Sequence, residues 1–379
     1  MKPFVEPIYV TRPMLPPLQE VENKLKEIWG DRWLTNCGKQ HALLENALSV
    51  KLKVPYLSLF NNCTTALMVA CSALRLAGEV ITTPFTFAAT PHVLTWNNIK
   101  PVFCDIDPIT MNIDTNKIEQ MITPKTTAIL AVHVFGIPCD VERIQQIADF
   151  YGLKVIYDAA HAFGVEINGR GIGTYGDVSA MSFHATKLYH TIEGGAVMHN
   201  SKCLKSRIDF LKNFGIKDEE HVVMPGINGK MNEIQAAMGL INLTYVDSEM
   251  SKRKNLVNIY REELSSIEGL VLPTVLPNVK SNNQYFVVRL SDKLFGVSRD
   301  YVYEKLKEFN VYSRKYFYPL CSDYTCYRQL SSSSAENLPC ATIIGTECLA
   351  LPLYGELSEE SVRKICHIIK NIPKGRLLL

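Results

Sequence analysis

The chain has 379 residues, which at ~150 residues per domain predicts two or three domains. Hydrophobic residues make up 47% and charged residues 21% of it, so it can bury a large core, and a disordered chain or a disulfide-stapled miniature is excluded. Forty basic and thirty-eight acidic residues leave a net charge of +2. This near balance lacks the electrostatic footprint of a nucleic-acid or anionic-membrane binder, and we expect neither partner.

The eleven cysteines include no Cys-x-x-Cys pair, and several stand beside apolar neighbours, as in Val69-Ala70-Cys71. This usage is typical of free thiols that pack as small hydrophobic side chains in a reducing compartment, not of a disulfide framework or a zinc site. Residues 1–7 carry an acid and two prolines where a signal peptide needs an apolar stretch, and no apolar run approaches the ~20 residues that cross a bilayer. We therefore expect a cytoplasmic protein.

Between residues 50 and 200 the sequence alternates short β-rich runs with stretches of helical periodicity. Several of the β-rich runs are continuously apolar, which is typical of strands covered by helices on both faces. The alternation predicts an α/β fold with a mainly parallel, layered sheet. The predicted strands are 56–60, 79–82, 100–105, 127–134, 154–158, 178–183 and 195–199, and the predicted helices are 64–76, 90–96 and 140–151.

One long helical stretch follows, from residue 231 to about 267, and passes from apolar into charged sequence. Because a helix of this length can lead from one domain into another, we predict a large domain over 1–247 and a smaller C-terminal α/β domain over 248–379. The predicted elements of the smaller domain are a strand over 284–290 and helices over 298–309 and 358–372.

A Gly-x-Gly-x-x-Gly motif occupies residues 171–176. A dinucleotide-binding fingerprint needs a strand before it and a helix after it, so that the pyrophosphate meets the helix N-terminus. Here the motif follows the turn at Asn168-Gly169 and runs into a predicted strand. We therefore interpret it as a glycine-rich hairpin.

The junction at Asn62-Cys63-Thr64 leads directly from a predicted strand into a predicted helix. Free N–H groups at such a helix start, together with the helix dipole, form an anion-binding site, and the Thr64 hydroxyl adds a donor. The alternative is simple N-capping by Asn62 or Thr64.

Asp158 ends the predicted strand 154–158, at the edge where open α/β sheets bind their ligands. Such a carboxylate can be a metal ligand, a general base, the partner of a buried cation or a helix cap. Lys187 follows the strand 178–183, 29 residues after Asp158. A partly desolvated lysine has a lowered pKa and forms Schiff bases, whereas the alternative is a solvated loop lysine. Asp158 at a pyridinium nitrogen, Lys187 at an aldehyde carbon and a phosphate at Cys63-Thr64 would together suit pyridoxal phosphate.

Several motifs give the chain a resemblance to the DegT/StrS sugar aminotransferases, pyridoxal-phosphate enzymes of the aspartate aminotransferase fold (fold type I). The resemblance extends over nearly the whole chain, and its most specific part is the combination of the Lys187 motif with Asp158 and the Asn228 motif. The motifs are Trp33-Leu34-Thr35-Asn36, Thr83-Pro84-Phe85-Thr86-Phe87, His133-Val134-Phe135-Gly136, Tyr157-Asp158-Ala159-Ala160-His161, Ser182-Phe183-His184-Ala185-Thr186-Lys187 and Gly226-Ile227-Asn228-Gly229-Lys230-Met231-Asn232-Glu233.

The resemblance implies roles around the cofactor ring. Lys187 would bind the cofactor covalently and move protons, and Asp158 would keep the pyridine nitrogen protonated. Phe87 would stack on the ring, and His161 would lie near the ring hydroxyl. Some relatives are dehydratases with histidine in place of the lysine, so Lys187 argues against that branch.

The resemblance also implies how the phosphate is held. Cys63, Thr64 and Ser182 would contact it, and Asn228 would reach it from the neighbouring subunit, which implies a homodimer with shared active sites. Members usually have glycine at the position of Cys63, so cysteine would be strained there if the backbone needed a positive φ. Lys230 replaces a frequent arginine and keeps the charge without the bidentate fork. The other ten cysteines are expected to be packing residues.

The implied reaction transfers an amino group from L-glutamate, which leaves as 2-oxoglutarate, to a keto-sugar linked to a nucleoside diphosphate. His184 and Glu193 match relatives that act at C4 rather than C3, and the similarity is greatest to enzymes that form dTDP-4-amino-4,6-dideoxyglucose. Arg314 and Tyr318 belong to a basic, aromatic stretch that could clamp the pyrophosphate and nucleotide; the alternative for the stretch is a solvated strand. Lys230 is also expected to bind the substrate. A C3-specific enzyme and a non-catalytic ligand sensor of the same fold remain alternatives.

Overall fold

The computed structural model describes residues 2–372. Its first elements are strand β1 (Ile8–Tyr9) and helices α1 (Leu18–Asp31) and α2 (Lys39–Leu52). Leu44, Leu48 and Leu52 lie on one buried face of α2, four residues apart, because side chains at that spacing share a face of a helix. This face packs into a core beneath the central sheet.

The middle of the chain alternates strands and helices, as predicted. In chain order these are β2 (Tyr56–Phe60), α3 (Cys63–Ala73), β3 (Glu79–Thr82), α4 (Ala89–Trp96), β4 (Lys100–Phe103), α5 (Thr115–Ile118), β5 (Thr126–Val132), α6 (Val141–Tyr151), β6 (Lys154–Asp158), β7 (Glu166–Ile167), β8 (Arg170–Gly171), β9 (Val178–Ser182), β10 (Gly195–His199) and α7 (Lys202–Leu211).

Seven of these strands form one sheet in the order β2-β10-β9-β6-β5-β3-β4. Strand β10 runs antiparallel to both of its neighbours, and the remaining pairs are parallel. Alternate side chains of β3 face opposite cores: Val80 packs in a core with residues of α3, α4 and α7, and Ile81 packs in another with residues of α6. The predicted α/β fold with helices on both faces of a mainly parallel sheet is confirmed.

The glycine motif at 171–176 lies in a hairpin. Strands β7 and β8 pair antiparallel across the turn at Asn168-Gly169, and the motif then passes through a short 3-10 turn into β9. No helix follows the motif, so the prediction of a hairpin is confirmed.

The C-terminal part begins with a 32-residue helix, α8. Residues of its first half, such as Ala236, pack in the core beneath the central sheet, and residues of its second half, such as Tyr260, pack in a separate C-terminal core. The domain boundary predicted at residue 247 falls inside this helix and stays a prediction. The elements are α8 (Glu233–Leu264), β11 (Leu270–Val271), β12 (Val279–Lys280), β13 (Phe286–Leu290), α9 (Asp292–Phe295), α10 (Arg299–Glu308), β14 (Val311–Tyr312), α11 (Pro339–Glu347), β15 (Cys348–Leu351) and α12 (Glu359–Asn371).

Strands β11, β13 and β15 form a small antiparallel sheet. An aromatic core joins this part to the carboxyl edge of the central sheet, where Phe85 and Phe135 of the large sheet's loops meet Tyr285 and Phe317. Phe85 and Phe317 make an edge-to-face contact with ring centroids 5.5 Å apart. The C-terminal part therefore packs against the edge that carries the predicted site.

The eleven cysteines are free thiols, but not all are packing residues. Six are buried, which agrees with the prediction, whereas Cys37, Cys203 and Cys326 are exposed, and for these three the prediction is wrong. No helix within residues 2–372 combines the length and the apolar character that crossing a bilayer requires.

Candidate active site

Three strands bring the predicted site residues to one edge of the sheet. Strands β2, β6 and β9 end at Phe60, Asp158 and Ser182, and their carboxyl ends share this edge. Strand β10 begins there, because Gly195 lies opposite both Phe60 and Ser182 in the antiparallel register. Parts of the chain more than 120 residues apart thus meet at a single place.

A cavity of about 290 Å³ opens at this edge. It collects the predicted residues Cys63, Thr64, Phe87, Asp158, His161, Ser182, His184, Lys187 and Glu193. It also contains Thr86, Tyr316 and Phe317, which lie in motifs of the sequence analysis without a role of their own, and Tyr285, which the sequence did not single out.

The start of α3 forms the anion-binding end of the cavity. Asn62 caps the helix, its side chain accepting a hydrogen bond from Thr65 N–H at 2.8 Å. Within residues 2–372 no acceptor is paired with the N–H groups of Cys63 and Thr64, and both residues line the cavity. Capping and an anion site are therefore compatible here, because the cap satisfies one N–H and leaves two others for a ligand.

Cysteine is accommodated at position 63 without backbone strain. Cys63 is the first residue of the right-handed helix α3, so the residue needs no positive φ. Close approach is provided by Gly195 instead: a Cβ there would lie 2.7 Å from the Cys63 nitrogen. Burial raises the pKa of the Cys63 thiol well above its ordinary value, so the thiol stays neutral and adds no negative charge to the anion site.

Asp158 forms the opposite, buried end. Its Oδ2 accepts a hydrogen bond from the Thr90 hydroxyl at 2.8 Å, and its Oδ1 accepts one from Ala160 N–H at 3.0 Å. Burial raises the pKa of the carboxyl group, whereas these two donors and the charge of Lys187 act in the opposite direction. Within residues 2–372 no group of three or more His, Cys, Asp and Glu side chains is arranged to hold a metal ion, so Asp158 has no ligand set there.

Lys187 lies in the loop after β9, where its N–H donates to the His184 carbonyl oxygen at 2.9 Å. Its Nζ lies 5.8 Å from the centroid of the Tyr285 ring, and none of the ion pairs among the described residues includes it. Burial lowers the pKa of this amine, and nearby Tyr316 and Asp158 oppose the shift. A larger fraction of the amine is therefore neutral and nucleophilic at neutral pH than for a solvated lysine.

His161 lines the cavity with a neutral ring. Its Nδ1 accepts a hydrogen bond from Phe135 N–H at 3.2 Å, and burial lowers the pKa of the ring well below its ordinary value. A neutral imidazole with an acceptor at Nδ1 carries its proton on Nε2. The ring lies nearly parallel to the rings of Phe135 and Phe317, with centroids 6.1 and 6.0 Å away, and those two rings lie 5.4 Å from each other.

His184 and Glu193 face each other across the cavity, with His184 Nε2 and Glu193 Oε1 3.5 Å apart. Both side chains are about half exposed. Ser182 is buried, and its Oγ accepts a long hydrogen bond from His184 N–H at 3.4 Å. His184 and Glu193 therefore occupy the more open part of the site.

Four predicted residues lie outside this cavity. Arg314 and Tyr318 line a second cavity of about 310 Å³, which shares Thr86, Phe87, Tyr316 and Phe317 with the first. Asn228 is exposed and does not line the cavity of its own protomer. The Nζ of Lys230 donates to Asn213 Oδ1 at 2.7 Å and lies 5.0 Å from the centroid of the Phe214 ring.

Known proteins are similar to this chain in sequence and in fold. The sequence profile of the DegT/DnrJ/EryC1/StrS aminotransferase family matches residues 18–370. The chain belongs to this family. It is 49% identical over 365 residues to a dTDP-4-amino-4,6-dideoxy-D-glucose transaminase of Escherichia coli (96% of this chain, 98% of the relative) and 46% identical over 369 residues to a transaminase of the same name from Shigella dysenteriae (97% and 99%). The crystal structure of DesI, determined in the presence of its TDP-sugar product, has a TM-score of 0.94 and 33% identity and covers 99% of this chain and 95% of that one.

The chain is a pyridoxal-phosphate-dependent sugar aminotransferase, and its cavity fits that cofactor. Two free N–H groups at a helix start suit a phosphate, and a buried carboxylate at the other end suits a protonated ring nitrogen. Lys187 supplies an amine without an ion-pair partner in the described part of the chain, and Phe87 supplies an aromatic ring at the wall.

Proposed function

We propose that this protein transfers an amino group from L-glutamate to C4 of dTDP-4-dehydro-6-deoxy-D-glucose and forms dTDP-4-amino-4,6-dideoxy-D-glucose. The observation that carries the proposal is the near full-length similarity to two transaminases that bear the name of this product. The presence of both Lys187 and Asp158 in one cavity supports a catalytic protein over a ligand sensor.

Lys187 and Asp158 have the central roles in this proposal. Bound pyridoxal phosphate supplies an electron sink for the carbon that loses or gains a proton. Asp158 holds a positive charge at the ring nitrogen, because a cation in contact with a buried carboxylate stabilises the ionised form of both groups. Lys187 would hold the cofactor covalently, and its free amine would carry a proton between the donor or sugar carbon and the cofactor carbon.

The other residues of the cavity bind and orient. The N–H groups of Cys63 and Thr64 and the Ser182 hydroxyl would hold the phosphate, Phe87 would contact the ring, and the His161 Nε2–H would be available to the ring hydroxyl. The sugar ring contacts His184 and Glu193. The pyrophosphate reaches the second cavity, where Arg314 and Tyr318 lie.

We also propose a homodimer in which the exposed Asn228 completes the site of the partner subunit. Two exposed apolar residues adjoin this site in the chain: Ile192 precedes the cavity residue Glu193, and Ile234 precedes Gln235, whose Nε2 donates to the Glu193 carbonyl oxygen at 2.7 Å. Covering such a surface stabilises a dimer. The exposed residues include Trp33, Leu34, Ile192, Phe214, Ile227 and Ile234.

The regiochemistry is tested by incubating the pure protein with L-glutamate and dTDP-4-dehydro-6-deoxy-D-glucose and locating the new amine by NMR. An amine at C4 and formation of 2-oxoglutarate are expected. An amine at C3 would show that the C3-specific alternative is right, and tight sugar binding without turnover would show a ligand sensor.

The cofactor link is tested by the visible absorbance of the purified protein. We expect the wild-type protein to be yellow and the Lys187→Ala variant to have a different visible absorbance spectrum. A colourless wild-type protein that stays so after addition of pyridoxal phosphate would contradict the proposal.

Shared sites are tested by mixing two variants. A Lys187→Ala protomer still provides Asn228, and an Asn228→Leu protomer still provides Lys187, so mixed dimers contain one complete site and regain activity that neither variant has. A monomeric protein, or no regained activity in mixed dimers, would contradict the shared site.

A cytoplasmic location is part of the proposal. The free state of all eleven thiols supports a reducing compartment. Cell fractionation with an antibody against the protein tests this, and a periplasmic or extracellular signal would contradict it.

A further inference from the structure

A short segment between β12 and β13, residues 281–285, contacts the loop that carries His161 and the loop that carries Lys187. Asn282 is fully buried and Gln284 is 1% exposed, whereas Ser281 before them is exposed. Amides buried this deeply are usually hydrogen-bonded, and here their main partners are backbone groups of the loops that carry His161 and Lys187.

Asn282 holds the loop that carries His161. Its Nδ2 donates to the carbonyl oxygens of His161 and Phe163 at 2.9 and 3.0 Å, and its Oδ1 accepts from Gln284 N–H at 3.0 Å. The next residue but two, Tyr285, makes an edge-to-face contact with the His161 ring at 4.9 Å.

Gln284 holds the loop that carries Lys187. Its Oε1 accepts a hydrogen bond of 2.7 Å from the N–H of Leu188, the residue that follows Lys187 and is itself fully buried. The orientation of the amide is fixed, because only the oxygen can accept from an N–H. Within residues 2–372 the Gln284 Nε2 has no acceptor, so the hydrogen bond to Leu188 N–H is made at the cost of a buried, unpaired donor.

The same segment is anchored to the C-terminal part. The Gln284 carbonyl oxygen accepts from Arg253 Nη1 at 3.2 Å, and Arg253 Nε pairs with Glu249 Oε1 at 2.7 Å. Glu249 Oε1 also accepts from Gly355 N–H at 2.8 Å. Both charged side chains are at most 5% exposed, so this anchor is rigid and well shielded from water.

We propose that Gln284 and Asn282 are positioning residues for amino-group transfer: Gln284 fixes the backbone beside Lys187, and Asn282 fixes the backbone at His161. The proposal rests on the proposed role of Lys187. Neither side chain touches the reacting atoms. Each instead fixes the position of a residue that lines the cavity, Lys187 or His161. A displacement of about 1 Å in such a residue can lower a rate by ~100-fold.

The test compares holoenzymes that carry Gln284→Met, Gln284→Glu and Gln40→Met. Methionine has a similar shape to glutamine but no acceptor for Leu188 N–H, whereas glutamate keeps an oxygen at that position. Gln40 is a control, because it is equally buried but lies on α2, outside the lining of the cavity. The measurements are kcat, KM for the nucleotide sugar, the melting temperature, and the pH at which the visible absorbance of the bound cofactor changes.

For Gln284→Met we expect a fall in kcat of ~100-fold with little change in KM, and a shifted pH for the absorbance change. Gln284→Glu recovers most of the kcat, and Gln40→Met changes at most the melting temperature. Wild-type kcat and absorbance titration in Gln284→Met, or an equal loss in Gln40→Met, would overturn the positioning role. If Gln284→Met does not fold, Gln284→Asn, one methylene shorter, must show the same loss, and normal kcat in it overturns the proposal. A wild-type protein without a Lys187-dependent absorbance would instead overturn the proposed role of Lys187.

Discussion

Thr90→Val removes a hydrogen bond to the buried carboxylate of Asp158, together with the contact of 2.8 Å between the Thr90 and Thr86 hydroxyls. Thr90 is fully buried in α4, and its hydroxyl donates to Asp158 Oδ2 at 2.8 Å. Valine has nearly the same shape, so the substitution removes the donor without opening a cavity. Hydrogen bonds to charged groups contribute about 1.5–3 kcal/mol, which corresponds to a fall in kcat/KM of about 10- to 150-fold if the full contribution is lost in the transition state.

The substitution also has a defined effect on pH dependence. Burial raises the pKa of Asp158, and the Thr90 hydroxyl is the first of the groups that lower it. Loss of this donor therefore raises the pKa further, and the carboxylate that we propose to hold the positive ring nitrogen ionises only at higher pH. The acidic limb of the kcat/KM profile is expected to move to higher pH, so that the loss is larger at low pH than at high pH.

The assay is steady-state formation of 2-oxoglutarate across a pH series, with Thr82→Val as the matched control. Thr82 is also fully buried, but its hydroxyl has no partner within residues 2–372, and the residue does not line the cavity. Its replacement should leave kcat/KM and the profile unchanged. A Thr90→Val enzyme with wild-type kcat/KM and an unmoved acidic limb would refute the electrostatic role given to this contact.

Three further predictions concern the two ends of the cavity. Gly195→Ala places a Cβ 2.7 Å from the Cys63 nitrogen and 2.8 Å from the Asn62 carbonyl carbon, so the helix start must shift; we expect cofactor affinity, measured by fluorescence titration, to fall about tenfold or more. Cys63→Ala keeps the backbone N–H and should leave that affinity unchanged. Asp158→Asn should stabilise the cofactor-free protein against heat at neutral pH, because a raised folded-state pKa contributes stability below the ordinary value of 3.8 that is lost as the pH rises through the folded-state pKa.

Each of these expectations has a contrary outcome. Unchanged cofactor affinity in Gly195→Ala would show that the helix start does not bind the phosphate. A large loss in Cys63→Ala would assign the contact to the thiol instead of the backbone. A melting temperature of Asp158→Asn below that of the wild type at pH 7, or a gain that persists below pH 3.8, would show that the carboxylate is not the strained group.

The central sheet and the carboxyl edge that carries the candidate site were predictable from sequence because they depend on local signals. Continuous apolar runs between helical stretches predict a parallel sheet, and the carboxyl ends of parallel strands share an edge. Asp158, Ser182 and the Cys63 junction each follow directly from a strand end, so their meeting required no knowledge of tertiary packing. The resemblance then supplied the more distant residues, among them Phe87 and His161, which line the same cavity.

The supporting residues were not predictable in this way. Thr90 stands among ordinary helix residues, and only the packing of α4 brings its hydroxyl to Asp158. Gln284 lies 96 residues from Leu188 in the chain, and no local pattern indicates a contact at that distance. The missed helix α2 is different, because the four-residue spacing of its buried leucines is a local signal that could have predicted it.

The cavity keeps an acid and an amine out of water without pairing them with each other. Burial raises the pKa of Asp158 and lowers that of Lys187, because the folded protein disfavours the charged form of both groups. No ion pair among the described residues joins them, and both instead line the space where a cofactor fits. A ligand that contacts both groups relieves both penalties, and binding to the folded state alone stabilises a protein by about 2.7 kcal/mol at 100 times its dissociation constant. If Asp158 and Lys187 have the proposed roles, the groups that destabilise the empty site are the ones that give the cofactor its affinity, and a variant such as Asp158→Asn should gain stability without cofactor and gain less from its addition.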